Sequence, residues 1–456
     1  RPSVASVIDS LPLDASSKQW LETTFTGEAP QVPKNPMGIE KKNLSSLENF
    51  SRVCVDAHLL KDWLFDSFAR SEEDLVLYAV HMFKDLGLLS HFLIPESAMT
   101  HFVDLVKDAH NSNPFHNWRQ SFEVAHILYL FLVHSRASSL LTPLNQFTLL
   151  IASLCKNLQH PGLNNLYQFN AKSSLATMYQ DSSVLENHAI TSAFKIFNRN
   201  DCTVLSELTA EQYKEFRKGF IKAIRSNDFS NHLELNSLLN VQHMVKPFSK
   251  DSDINDRFLL MSALLHAADL GVVAMPIHAR EWMEMAFREN INQGEKEREH
   301  GLPVSPFCNR SDTNIVRFTV NFIDYLAHPF YVTLQKILPE LDQCLGWMKQ
   351  NRTFWSKMDS LEPTLPEVTE SALGVLLERK RPTSAVVDKW IKQKPVETTE
   401  DSAIPQPSSD PVPPKNPLNR RMSIPKMKHS LSVPDLLPRK NALPQRKELA
   451  RASANF

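Results

Sequence analysis

Seventeen histidines are the side chains best suited to holding a metal or moving a proton near neutral pH. Metal sites on helices favour histidines three or four residues apart, because those positions share a face. No two are so spaced here. The nearest are His110 and His116, and no HExxH occurs. The sequence thus offers no local metal motif. Ionisable groups concentrate instead in four stretches: FHNWRQ at 115–120, LCKNLQHPG at 154–162, DSSVLENH at 181–188 and LHAADL at 265–270. Each sets polar groups beside apolar, helix-like sequence. Asp269, between Ala268 and Leu270, would be a carboxylate in apolar surroundings and needs a partner or a metal. Local capping or a local salt bridge is the plainer alternative.

Composition removes several function classes. Lys+Arg is 50 against Asp+Glu 51, so no global charge points to nucleic acid or a membrane surface. Glycine occurs 10 times in 456 residues, against an average usage of roughly 7%. The closest pair is Gly294 and Gly301. Dinucleotide-binding loops, Walker loops and nucleophile elbows cannot be written with that spacing. Five scattered cysteines without a CxxC argue against a disulfide framework or a cysteine zinc site, and fit a reducing, cytoplasmic location. The longest apolar run lies around 127–133, too short for a membrane span. No signal peptide is visible. The chain begins at Arg1, so an upstream segment is expected.

These groups would be positioned by helices. From about 46 to 358 apolar residues recur at three and four: Val53, Leu59, Leu60, Trp63 and Leu64, then Leu75, Leu77, Val80, Phe83 and Leu86. The uncharged run 144–154 suits a buried helix, and Thr209 with Gln212 fits a capping box. Pro114, Pro143, Pro161, Pro306 and Pro329 fall between apolar blocks. No segment alternates with period two. The expectation is one all-α domain of roughly a dozen or more helices. Residues 1–45 read as an N-terminal arm with one short helix at 17–25. Residues 359–394 read as a short helical extension, with helices at 371–379 and 385–392. Residues 395–456 read as a disordered, basic, Pro/Ser-rich tail, because such a composition cannot bury enough apolar surface to offset its ordering entropy. Within 415–447 nine Lys/Arg stand against one acidic residue, Asp435. Arg420, Arg421 and Ser423 have the shape of a basophilic kinase site, so Ser423 is a candidate phosphorylation site.

Taken in order, the four stretches resemble the catalytic domain of class I cyclic-nucleotide phosphodiesterases. The likeness covers about 55–358. It extends to SPFCNR at 305–310, NFIDY at 321–325 and NRTFW at 351–355. The segment WLETTFT at 20–26, together with HAAD at 266–269, is most similar to the calmodulin-dependent branch. The resemblance implies a large multi-helix fold. It also implies a zinc and a second divalent metal, magnesium in the family, held by two His and two Asp. Carried over position by position, only Asp269 survives among those ligands. Gln120 stands for the first His, Lys156 for the second and Asn157 for the first Asp. A cation at Lys156 would repel a dication, and Gln120 is a poor zinc ligand. The resemblance makes His116 the general acid, and Asn165 and Glu186 supporting residues of the metal site. It places Thr319 at the purine-selecting glutamine, Phe322 at the stacking aromatic, and Val272 and Asn321 at altered pocket positions. His188 is kept, but its usual His neighbour is Ala189.

The expected protein is therefore a phosphodiesterase-fold pseudoenzyme without cofactor, working as a structural or regulatory binding module. Its partners would be proteins, including a second copy or an active relative, with no nucleic acid and no membrane span. Two alternatives are residual cAMP or cGMP hydrolysis and a metal-free nucleotide sensor using Lys156. Calmodulin binding finds no support in residues 1–30, whose only basic groups are Arg1 and Lys18. Lys156 and Asp269 should face each other across the vacated site, more readily as a salt-bridged strut than as a free anion pocket.

Overall fold

A computed structural model describes residues 57–359, residue 312 excepted. The arm, the extension beyond 359 and the tail lie outside the described residues. So do the helices expected at 17–25, 371–379 and 385–392, the segment 20–26 and Ser423. Among the described residues the secondary structure is helical without a strand.

The chain runs through α1 (Ala57–Leu60), α2 (Glu72–Asp85), α3 (Leu88–His91), α4 (Glu96–Asp108), α5 (Trp118–His134) and α6 (Ala137–Leu140). Next come α7 (Pro143–Cys155), α8 (Asn165–Asn170), α9 (Ser174–Tyr179), α10 (Val184–Phe197), α11 (Ala210–Arg225) and α12 (His232–Val245). The last group is α13 (Ile254–Leu270), α14 (Ala279–Glu299), α15 (Ile315–Asn321), α16 (His328–Gln335) and α17 (Asp342–Asp359). Capping chemistry fixes several starts. Ser71 and Asp74 form a capping box on α2, Thr142 and Asn145 on α7, and Thr209 and Gln212 on α11. Pro143 opens α7, where its missing N–H costs nothing.

Helices α5, α7, α11 and α13 form the centre: α7 packs on α5 and α11, and α13 packs on all three. From Phe122 to Leu132 every residue of α5 is buried, and α7 is buried from Phe147 to Cys155. Helices hydrophobic all round belong in a core. The apolar run 127–133 lies inside α5, and the helical stretch 254–274 is long and apolar enough on average to cross a membrane, yet 83% of its most apolar window is buried inside the protein. Ser262, His266 and Asp269 interrupt it, which is why a search for an uninterrupted run passes over it.

Two local expectations need correction. The repeat Leu59, Leu60, Trp63, Leu64 does not form one helix, because α1 ends at Leu60. Leu60 and Trp63 are buried while Leu59 and Leu64 are exposed. Burial of two side chains suffices here without helix. Pro329 does not separate blocks either. It lies in the first turn of α16, directly after a π-type turn (Phe322–Ala327) that continues α15. Wider turns of this kind absorb the irregularity a proline introduces. Gly294 has a steric role on α14: a Cβ there would meet the Cys308 carbonyl oxygen at 1.7 Å, so the 305–310 segment packs directly on the helix backbone.

One buried acid gives a testable pH dependence. Glu123 on α5 accepts a hydrogen bond from Ser67 Oγ (2.7 Å) and is 5% exposed. Burial pushes its carboxyl up to about 7. An acid whose folded pKa is raised stabilises below its unfolded pKa and loses that contribution as pH rises through the folded value. Glu123→Gln should therefore be more stable than the parent chain at pH 8, by about 2–3 kcal/mol, with the gap closing near pH 5. Denaturant unfolding at the two pH values checks this; an equal difference at both would contradict it.

Candidate functional site

Two helix C-termini meet at the candidate site. Helix α7 ends at Cys155, with Lys156 as its C-cap and Asn157 next. Asp269 occupies the last turn of α13. Unsatisfied carbonyls make both ends partially negative, and the Asp269 carboxylate adds a full charge. A cation is required, and Lys156 supplies it. Its Nζ lies 2.7 Å from Asp269 Oδ1, with side-chain exposures of 3% and 10%. The partner is thus distant in sequence, not the local one that apolar flanks had left open.

Gln120 and Asn157 close a ring around this pair. Asn117 caps α5 by accepting from Gln120 N at 3.0 Å, which fixes Gln120 in the first turn. Gln120 Nε2 donates to Asp269 Oδ1 at 2.9 Å. Asn157 Nδ2 donates to Gln120 Oε1, and Lys156 Nζ donates to Asn157 Oδ1 at 3.0 Å. Asp269 Oδ2 accepts from Asn227 Nδ2 at 2.8 Å. Because that amide is committed, Asn227 Oδ1 must accept from His266 Nδ1 (3.1 Å), and His266 Nε2 then accepts from His232 Nδ1 (2.8 Å). Burial keeps both rings neutral, pushing His266 down to about 3 and His232 to about 4. Every donor in the chain points toward Asp269. Burial alone would raise the Asp269 pKa, but Lys156 and the amides outweigh it and hold the carboxyl at about 2.

This donor set does not fit a divalent metal centre. Asp269 is the one anion in the ring, and its two oxygens already accept from Lys156, Gln120 and Asn227. An ammonium group stands at the carboxylate that a metal would need, and the remaining members are neutral amides.

His116 sits in a separate arrangement. Its Nδ1 lies 2.5 Å from Glu289 Oε1, and Glu289 Oε2 accepts from the backbone N–H groups of Phe115 (2.8 Å) and His116 (3.1 Å). Burial would raise the Glu289 pKa, but His116 and these donors bring it to about 2. His160 stacks on His116, with ring centres 4.0 Å apart and planes at 25°. Gly162 N donates to His160 Nδ1 at 3.1 Å, and burial drives the His160 pKa well down. His116, His160 and Glu289 offer three ligand atoms within 4.8 Å of one another. Stacked rings, however, send their in-plane lone pairs along nearly parallel lines rather than converging on one cation. The geometry suits an imidazole oriented by a carboxylate and able to hold a proton.

The other expected residues divide. Asn165 Nδ2 donates to Glu186 Oε2 at 3.0 Å, and burial with Asp228 nearby pushes Glu186 up to about 7. His188 Nδ1 lies 3.3 Å from the Tyr179 hydroxyl. Thr319 is fully buried, and its hydroxyl has no hydrogen-bond partner among the described residues. Val272 is buried in the 3-10 turn after α13, and Phe322 is buried at the start of the π-type turn. Asn227, His232 and Glu289 were not foreseen. Asn227 follows the end of α11 and Glu289 lies mid-helix on α14, where nothing local distinguishes a site residue from an ordinary polar one.

The ring can be tested by removing one charge or both. Lys156→Ala should cost about 3–5 kcal/mol, because Asp269 is left buried and unpaired. Lys156→Met combined with Asp269→Leu should recover most of that loss. The pH dependence has a definite sign. A depressed Asp pKa stabilises above the unfolded value and loses that contribution as pH falls through the folded one. The parent's advantage over the double variant should fade between about pH 4 and pH 2. Chemical denaturation across that range checks both, and additive single losses would contradict the direct pairing.

Comparison with known proteins agrees with this architecture. The sequence profile of the 3'5'-cyclic nucleotide phosphodiesterase family matches residues 115–347. The 3',5'-cyclic-nucleotide phosphodiesterase regA of Dictyostelium discoideum is 31% identical over 369 residues, covering 79% of this chain and 45% of that protein. The high affinity cGMP-specific 3',5'-cyclic phosphodiesterase 9A of Homo sapiens is 27% identical over 325 residues, covering 70% of this chain and 54% of that protein. The chain spans about half the length of the curated relatives it matches. Among solved structures, the phosphodiesterase domain of the RhoPDE fusion protein from Salpingoeca rosetta superimposes with a TM-score of 0.63 at 30% identity, over 65% of this chain and 95% of that domain. The matched segment holds both the polar ring and the His116–Glu289 pair, and the chain belongs to the 3',5'-cyclic nucleotide phosphodiesterase family.

Proposed function

We propose that this chain is a phosphodiesterase-fold protein that has lost metal-dependent hydrolysis and works as a structural or regulatory binding module in cyclic-nucleotide signalling or a larger assembly. The observation that carries the reading is the 2.7 Å contact between Lys156 Nζ and Asp269 Oδ1. Phosphodiester hydrolysis by this family, as the resemblance implies it, relies on metals to activate water and neutralise charge at phosphorus. In the ring, the positive charge of Lys156 is already matched by Asp269, and no second anion is present to draw in a dication. The domain is accordingly cofactor-free in this reading.

Residual hydrolysis is a second reading, favoured by the His116–Glu289 pair, which keeps an imidazole in place to protonate a leaving oxygen. The relatives named above are phosphodiesterases, which lends this reading weight. A metal-free sensor would need Lys156 available to a phosphate, and its engagement by Asp269 and Asn157 weighs against that. The buried, unpartnered Thr319 hydroxyl and the apolar Val272 add little base recognition. Closeness to the calmodulin-dependent branch, a cytoplasmic location, and pairing with a second copy or an active relative belong to the same proposal.

The purified domain should contain no stoichiometric zinc and should not turn over cAMP or cGMP with magnesium or manganese. Turnover at ordinary enzyme rates that disappears in Asp269→Ala would overturn the reading. Gln120→His, Lys156→His and Asn157→Asp together should recover zinc binding, measured by elemental analysis of the folded variant. A folded triple variant that binds no zinc would show that these positions do not form the family's metal site.

A further inference from the structure

Helix α12 buries one face and leaves the other bare. His232, Leu235 and Leu239 are buried, and the helix packs on α13 and α16. Of its seven exposed positions five are apolar: Leu233, Leu238, Val241, Met244 and Val245. Glu234 is the one charged residue among the seven. Met244 and Val245 are each 77% exposed. No other described helix carries more than one exposed large apolar side chain. Leu238, Val241 and Val245 recur at three and four, so they form a continuous stripe. A solvated surface seldom leaves such a stripe open, and one of this kind marks an interaction surface. It lies on the other side of α12 from His232, the residue by which this helix joins the polar ring.

We infer that the chain's own C-terminal extension covers this stripe, with residues 385–392 docking on α12 as a short amphipathic helix. The sequence AVVDKWIK sets Val386, Val387, Trp390 and Ile391 on one helical face and Asp388, Lys389 and Lys392 on the other. A helix of two turns is marginal in water by itself and forms where its apolar face is covered. The path of the chain favours this occupant. Helix α17 ends at Asp359, and α16 packs on both α17 and α12. Residues 360–384 can span on the order of 80 Å when extended, so reach is not limiting. A tethered segment meets its site at an effective concentration of about millimolar and needs little area to stay bound. A second copy of the chain lacks that advantage: one helix face falls short of the roughly 800 Å² per partner that a stable interface buries. Docking here is independent of whether hydrolysis has been lost.

Hydrogen exchange of the full chain, read by mass spectrometry, tests the docking from the segment's side. Amides 386–392 should exchange about tenfold or more slower than an unstructured chain. Val241→Asp/Met244→Asp should remove that protection while α13 stays protected. Peroxide oxidation of Met244, followed by peptide mapping, tests it from the side of α12. Val386→Asp/Trp390→Asp, which leaves residues 57–359 unaltered, should speed that oxidation by about threefold or more. Free exchange at 386–392 in the parent chain, protection there that survives the α12 substitutions, or Met244 oxidation indifferent to the segment would overturn the proposal. So would protection at 17–25 that depends on Val241 and Met244. So would a dimer in sedimentation that the α12 substitutions dissociate while 386–392 exchanges freely.

Discussion

A carboxylate at the end of a helix is the constraint on which the centre of this protein depends. Asp269 lies where the carbonyl dipoles of α13 already disfavour negative charge, beside the end of α7, and it is nearly enclosed. Burying such a charge alone would cost far more than a single domain can offset. Lys156 resolves it. As the C-cap of α7 it is favourably placed against that helix's own dipole, and its side chain delivers the charge to Asp269. The cation is covalently part of the chain, so it needs no capture from solution.

The consequences spread through the polar network. Gln120 ties α5 to the pair, Asn227 ties in the loop after α11, and the neutral His266–His232 pair links α13 to α12. Because the terminal acceptor is ionised, each amide and imidazole has one productive orientation. Satisfied networks of this kind specify a unique packing, whereas a half-satisfied one would be worse than an apolar core. The same order explains the lack of fit to a dication: the carboxylate is already saturated. Four residues before Gln120, His116 is held by Glu289 in a second arrangement whose geometry is compatible with proton transfer.

Much of this was legible in the sequence because it is local. Helix periodicity, the capping box at Thr209 and the buried run 144–154 all follow from contacts within a few residues. The meeting of Gln120, Lys156 and Asn157 at one site was legible through family resemblance, since the positions are marked by their own neighbours. Long-range pairing was legible only through the resemblance, which set Lys156 against Asp269 across 113 residues; nothing pointed to Glu289, which reaches His116 across 173. No local rule distinguishes Glu289 from other acids on an amphipathic helix. The short α1 and the continuous helix around Pro329 were missed for a related reason: tertiary packing and a π-type turn override the local repeat.

The account's central claim is that Lys156 replaces a metal as the cation of this site. Thermal unfolding of the purified domain, stripped with a chelator and then returned to excess zinc and magnesium, tests it directly. A ligand that binds the folded state must raise the melting temperature with concentration. The account predicts the same melting temperature in both conditions for the parent chain. A rise with added metal that vanishes in Asp269→Ala would contradict it.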